Sequence, residues 1–150
     1  MVWAPYEAKY SLMLVRIQNK FTRYLYKRLY GVYPLYPLMY PTLFVLGMVG
    51  YDQLRLRREL ALSVYVFKIL TGRVHNLDIM EKLSLRVPSR NLRRKSQLLD
   101  VPRAHSNLVS EAPLTRAIII INRTSVEVDL FVCTLAEFTR VASYIISYKI

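Results

Sequence analysis

The chain predicts an all-α fold, an irregular bundle of five to six helices with a flexible basic linker, and three observations predict it. Apolar and basic residues recur at the helical period from residue 7 to residue 30, between Pro5 and Gly31. An apolar stretch with the same period runs from Asp52 to Gly72. Near the end, Thr134-Leu135-Ala136-Glu137 has the form of a capping box and leads into the row Leu135, Phe138, Val141, Ala142 and Ile145. With 150 residues, 53% of them hydrophobic, the chain can bury a core of one ordinary domain.

The first helix starts after Pro5 and stops at Gly31, a residue suited to a left-handed cap. Arg16, Lys20, Arg23 and Lys27, spaced by four, three and four, stack along one side. Tyr10, Leu14, Ile17, Phe21, Tyr24 and Leu25, with Arg28 closing the row, lie roughly 120° around the same helix. The row is expected to pack inward and the stripe to face out. Two readings of the stripe stand: an ordinary solvated face, or guanidinium and ammonium groups at one-turn intervals along a phosphate backbone.

Pro34, Pro37 and Pro41 forbid a continuous helix in the next stretch and favour an extended one. Seven of the 12 tyrosines fall between Tyr24 and Tyr51, either as a platform on which bases stack or as packing with hydroxyls at a wet edge. Thr42 to Met48 reads as a short apolar helix. Asp52 then caps a stronger helix running to Thr71, with Leu56, Leu60, Val64 and Phe67 as its inner row; it is expected to be the most buried of the protein. Arg55, Arg57 and Arg58 crowd its first turn against the helix dipole, compensated either by an external anion or by Glu59 and Asp52.

Asn76 caps a short helix through Leu83. Beyond it Arg86, Arg90, Arg93, Arg94, Lys95 and Arg103 face a single acid, Asp100, without an apolar period, which reads as a flexible basic linker able to fold over a polyanion, as a nuclear-import signal, or as a plain loop. Pro113 opens the next element, with Leu114, Ala117, Ile118 and Ile121 at helical spacing. Its isoleucine run, 118–121, fits a helix or a buried strand. The organisation expected is a helical region over 1–85, the linker over 86–110 and a C-terminal helical segment over 111–150 that packs on the first region.

A formal charge of +12, from 22 Lys and Arg against 10 Asp and Glu, favours an anionic partner: nucleic acid first, anionic lipid second, acidic protein third. The apolar runs fall short of the roughly 18 residues that a membrane span needs, and the N-terminus lacks the pattern of a signal peptide. An intracellular location, nuclear or cytoplasmic, is expected rather than secretion. Cys133 excludes an internal disulfide, and with only His75, a loop residue, and His105 beside it no zinc spacing exists. Cys133 between Phe131 and Leu135 is expected to be a small buried thiol, not a nucleophile. Serines, histidines and carboxylates are too scattered for a triad or an acid–base pair, so no catalytic residue and no cofactor is assigned.

Val2-Trp3-Ala4-Pro5-Tyr6, Arg16-Ile17-Gln18-Asn19-Lys20-Phe21-Thr22-Arg23-Tyr24-Leu25, Arg57-Arg58-Glu59-Leu60, Tyr65 to Lys68 with Gly72, then Asn122, Val128-Asp129-Leu130-Phe131 and Phe138, follow one another in an order that resembles the end of a reverse transcriptase from non-LTR, LINE-type retrotransposons, jockey-like elements especially. The likeness spans nearly the whole chain. It implies a helical thumb and post-thumb region that lies behind a catalytic palm and helps hold template and primer. The chain has no Phe/Tyr-Ala-Asp-Asp sequence and no closely placed aspartates for two-metal nucleotide addition, so it is not expected to polymerise DNA alone. The family would continue upstream of Met1, which points to a truncated element copy or a frame cut from a longer one. The implied partners are RNA or an RNA–DNA hybrid, held through Arg16, Lys20, Arg23, Lys27, Arg28, Arg55, Arg57, Arg58, Arg93, Arg94 and Lys95, and the upstream palm domain. The rival expectation is an inactive helical remnant that packs on the missing palm.

Overall fold

The computed structural model describes residues 7–35, 42–87, 97–103 and 106–149, and within them the chain is all-helical. Seven helices follow in order: α1 Ala8–Tyr30, α2 Thr42–Val49, α3 Leu54–Leu70, α4 Leu77–Met80, α5 Asn107–Ser110, α6 Pro113–Glu127 and α7 Leu135–Lys149. One more helix is present than expected, because the four-residue α5 is too short to show a period. The described residues form two compact units divided between Arg57 and Arg58, inside α3.

In the first unit α1 runs unbroken to Gly31, whose φ of +77° lets its N–H reach the Lys27 carbonyl at 2.8 Å. Its buried residues are Thr22 and Tyr26, flanked by half-buried Ser11, Leu14, Val15, Gln18 and Leu25. This corrects the inward row: Tyr10, Ile17, Phe21 and Tyr24 are exposed. Two causes combine. Among the described helices α2 packs most closely on α1, and its eight residues span roughly 12 Å against roughly 34 Å for α1, so it covers only part of that helix. The side it covers has polar groups with partners at hand: the Thr22 hydroxyl donates to the Gln18 and Asn19 carbonyls, and Gln18 Nε2 donates to the Asp52 carbonyl at 3.0 Å. Arg57 N–H donates to the Gln53 carbonyl, so Gln53 rather than the expected Asp52 immediately precedes α3, which starts at Leu54.

The second unit owns a dense core. Phe67 of α3 and Phe138 of α7, both fully buried, stack with centroids 4.2 Å apart at 10°. The inner row of α3 is Glu59, Leu62, Ser63, Val66, Phe67 and Ile69, not Leu56, Leu60 and Val64, which are half-buried. Two polar residues in that row disguise it in the sequence. Glu59 is held by Arg116 of α6 at 2.8 Å, and the Ser63 hydroxyl donates to the Leu60 carbonyl. The most deeply buried element is therefore α6 rather than α3, with seven of 15 residues inside against six of 17. The isoleucine run is helical, and Pro113 occupies its first turn.

The caps of this unit follow the sequence closely. Asn76 Oδ1 accepts the Ile79 N–H at 3.2 Å at the start of α4, which ends at Met80 rather than Leu83. The box at α7 closes both ways: Glu137 N–H donates to Thr134 Oγ1 at 3.2 Å, and Thr134 N–H donates to Glu137 Oε2 at 2.8 Å. That bond, with the one from the Thr134 hydroxyl, holds the Glu137 carboxyl below its ordinary range.

Part of the expected flexible linker is built into the core. Leu99 is fully buried, and Asn122 clamps both of its backbone groups, Oδ1 accepting its N–H and Nδ2 donating to its carbonyl, each at 2.8 Å. Next to it Leu85 and Leu99 form an antiparallel bridge, Arg86 N–H donates to the Leu98 carbonyl, and Asp100 N–H donates to the Ser84 carbonyl. An exposed Arg86–Asp100 pair at 3.8 Å lies over this clip. Composition concealed the order because a single leucine and a carboxamide create it.

Candidate nucleic-acid interface

Helical geometry places Arg16, Lys20, Arg23 and Lys27 along one side of α1. Arg16 to Lys27 covers roughly 16 Å of axis, over which one strand of a duplex carries about five phosphates. Arg16, Lys20, Lys27 and Arg28 are exposed, and Arg23 is half-buried. Acids are scarce around them: residues 1–57 hold eight Lys and Arg but only Glu7 and Asp52. That scarcity was legible in the sequence as a local charge imbalance.

Because the apolar row also faces solvent, the exposed arc of α1 combines cations and rings. Ile17 is 65% and Phe21 50% exposed, beside Tyr24 and Tyr10. Phe21 meets Tyr51 edge to face, with centroids 6.5 Å apart at 83°, and the Arg57 guanidinium lies over the Tyr51 ring at 5.1 Å. Lys27 Nζ lies 4.9 Å from the Tyr33 ring centre. Tyr51 and Tyr33 were thus missed as members of the site, and their clustering in the tyrosine-rich stretch was the available signal. Packing accounts for other tyrosines: Tyr26 is buried, its ring 4.6 Å from that of Tyr30, whose hydroxyl donates to the Met48 carbonyl.

Arg55 and Arg57 are exposed in the first turn of α3. Arg58 falls in the other unit and is half-buried; desolvation first, and the Arg116 guanidinium second, make it harder to keep protonated. Arg93, Arg94 and Lys95 lie outside the described residues.

The remaining candidate chemistry is sparse. Cys133 is half-buried rather than buried, and desolvation, then Glu137, pushes its thiol up, which disfavours the thiolate a nucleophile needs. Its Sγ–H points to the Leu130 carbonyl at 3.8 Å. His75 is an exposed loop residue. Among the described residues no group of three or more His, Cys, Asp or Glu could hold a metal ion. No described helix is long and apolar enough to cross a membrane.

In comparisons with known proteins, no family model, no curated protein and no solved structure matches the chain.

Proposed function

We propose that this chain is a non-catalytic piece that holds nucleic acid, equivalent to the thumb and post-thumb end of a non-LTR retrotransposon reverse transcriptase. The observation that carries it is the exposed face of α1, where Arg16, Lys20, Lys27 and Arg28 stand beside aromatic rings in a segment with only two acids. Cations at one-turn intervals attract a phosphate backbone whatever its sequence, and rings beside them suit bases that are not fully stacked. The likeness noted in the sequence supplies the kind of polyanion, RNA or an RNA–DNA hybrid. The catalytic aspartates would come from an upstream palm.

Fluorescence anisotropy of a labelled RNA–DNA hybrid, titrated with the full chain at several salt concentrations, tests this reading. Neutralising about four phosphates gives log K against log salt a slope of roughly −3 to −4. Replacing Arg16, Lys20, Arg23 and Lys27 by Gln should flatten that slope while circular dichroism stays unchanged, since Gln is a comparable helix former. Affinity indifferent to salt, or a slope that survives the fourfold replacement, overturns it. Anionic vesicles form the control arm, because an exposed apolar row beside cations also suits a lipid surface.

The exposed Tyr10, Ile17, Phe21 and Tyr24 favour a second reading, in which this face is a docking surface for the missing palm and binds no nucleic acid. Co-expression with a palm segment separates the two. A docking remnant gains solubility from that partner with nucleic acid present or removed.

A further inference from the structure

The second unit contains a half-open cavity of about 470 Å³ between α3, α4 and the start of α6, within the size range of small-molecule sites. Its walls are aliphatic, with Leu62, Val64, Ile79, Pro113 and Leu114 prominent. Three polar side chains join them, Tyr65, Lys68 and Lys82, and every one can donate. The Tyr65 hydroxyl accepts from Asn76 Nδ2 at 3.0 Å, which leaves its own proton to give. Lys68 is half-buried and Lys82 exposed, and neither is in an ion pair among the described residues. Among the described residues no carboxylate lines the cavity.

An aliphatic cleft whose polar groups are all donors, two of them cationic, is complementary to one chemistry: an apolar tail ending in an anion. Lysine stems add apolar wall while their ammonium groups stay at the mouth. We propose that this cavity binds a fatty carboxylate, its chain against Leu62, Val64, Ile79 and Leu114 and its head group against Lys68, Lys82 and the Tyr65 hydroxyl. None of its lining residues belongs to α1, and its occupancy does not depend on nucleic-acid binding.

Isothermal titration of the full chain with decanoate and with decanol, both below their aggregation concentrations, tests it. Decanoate should bind saturably at one per chain. Decanol, lacking the charge-assisted bonds, should bind about tenfold more weakly or worse. Lys68→Gln with Lys82→Gln should bring decanoate down to the level of decanol and leave decanol unaffected. Ala61→Trp, an exposed lining position, should abolish both while circular dichroism is preserved. Three outcomes overturn the proposal: equal affinity for the two amphiphiles, decanoate binding that survives Ala61→Trp, or competition from an RNA–DNA hybrid, which would make the lysines phosphate contacts. Because the hybrid is also titrated into the Gln pair, loss of this site and loss of the α1 reading register separately.

Discussion

The two units are built on opposite terms. Among the described residues up to Arg57, three large hydrophobic residues are buried (Tyr26, Val45 and Leu46) and fifteen are exposed. Beyond Arg57 the balance reverses, with fourteen buried hydrophobics including Phe67, Leu99, Ile118, Ile121 and Phe138 against eleven exposed large ones. A segment that hides so little of its apolar surface relies on local helix formation and on whatever covers it; one that hides most of it carries its own stability. The difference teaches that exposed charge and core packing are divided along the chain, with the cation- and ring-bearing face on the part that invests least in a core.

Truncating one ring in each unit should break or confirm this contrast most sharply. Phe67→Ala removes a fully buried ring from the stack on Phe138 and should cost about 3–5 kcal/mol in chemical denaturation. Phe21→Ala, at a half-exposed site, should stay within about 0.5 kcal/mol while weakening hybrid binding. Equal losses would mean that the first unit has a core of its own. Next in size is Asn122→Ala, which strands two buried backbone groups of Leu99 at about 1–3 kcal/mol each; an unchanged denaturation midpoint would deny the clip any role.

Thr134→Ala removes the hydroxyl that caps α7 and should cost about 1 kcal/mol. The same box makes a pH prediction. The Glu137 carboxyl is lowered in the folded state, so its contribution is present above the ordinary carboxylate range and fades as pH falls through the lowered value. Glu137→Gln should lose that acid-side dependence in thermal melts, and identical melting profiles against pH would refute it. The effect is confined to the second unit, which keeps it diagnostic.

Local chemistry was legible in the sequence. Gly31 as a left-handed cap, Asn76 and Thr134 with Glu137 as caps, and Pro113 in a first turn all act over three or four residues, so their spacing states their role. The α7 row Phe138, Ala142 and Ile145 was equally plain, since apolar residues there face a core that exists. What failed depended on partners distant in sequence. The face of α1 that turns inward is chosen by α2 and by the Gln18 bond to Asp52, and a periodic row cannot report the length of the helix opposite it. Glu59 was read against its sequence neighbours Arg55, Arg57 and Arg58, whereas Arg116, which holds it, lies 57 positions away. At the candidate site, the stripe of Arg16, Lys20 and Lys27 could be read from spacing, whereas the pairing of Tyr51 with Phe21 and Arg57 required the turn between α2 and α3.

The clip at Leu99 offers a consequence for watching the molecule at work. Its amide proton is sealed from solvent and given to a carboxamide 23 positions along the chain, so exchange with deuterium there requires α6 to release its hold. One slow amide thus becomes a sentinel for the integrity of the second unit, readable while polyanion or amphiphile is added. Slower exchange on adding decanoate, with no change on adding hybrid, would distinguish ligation of that unit from events confined to α1.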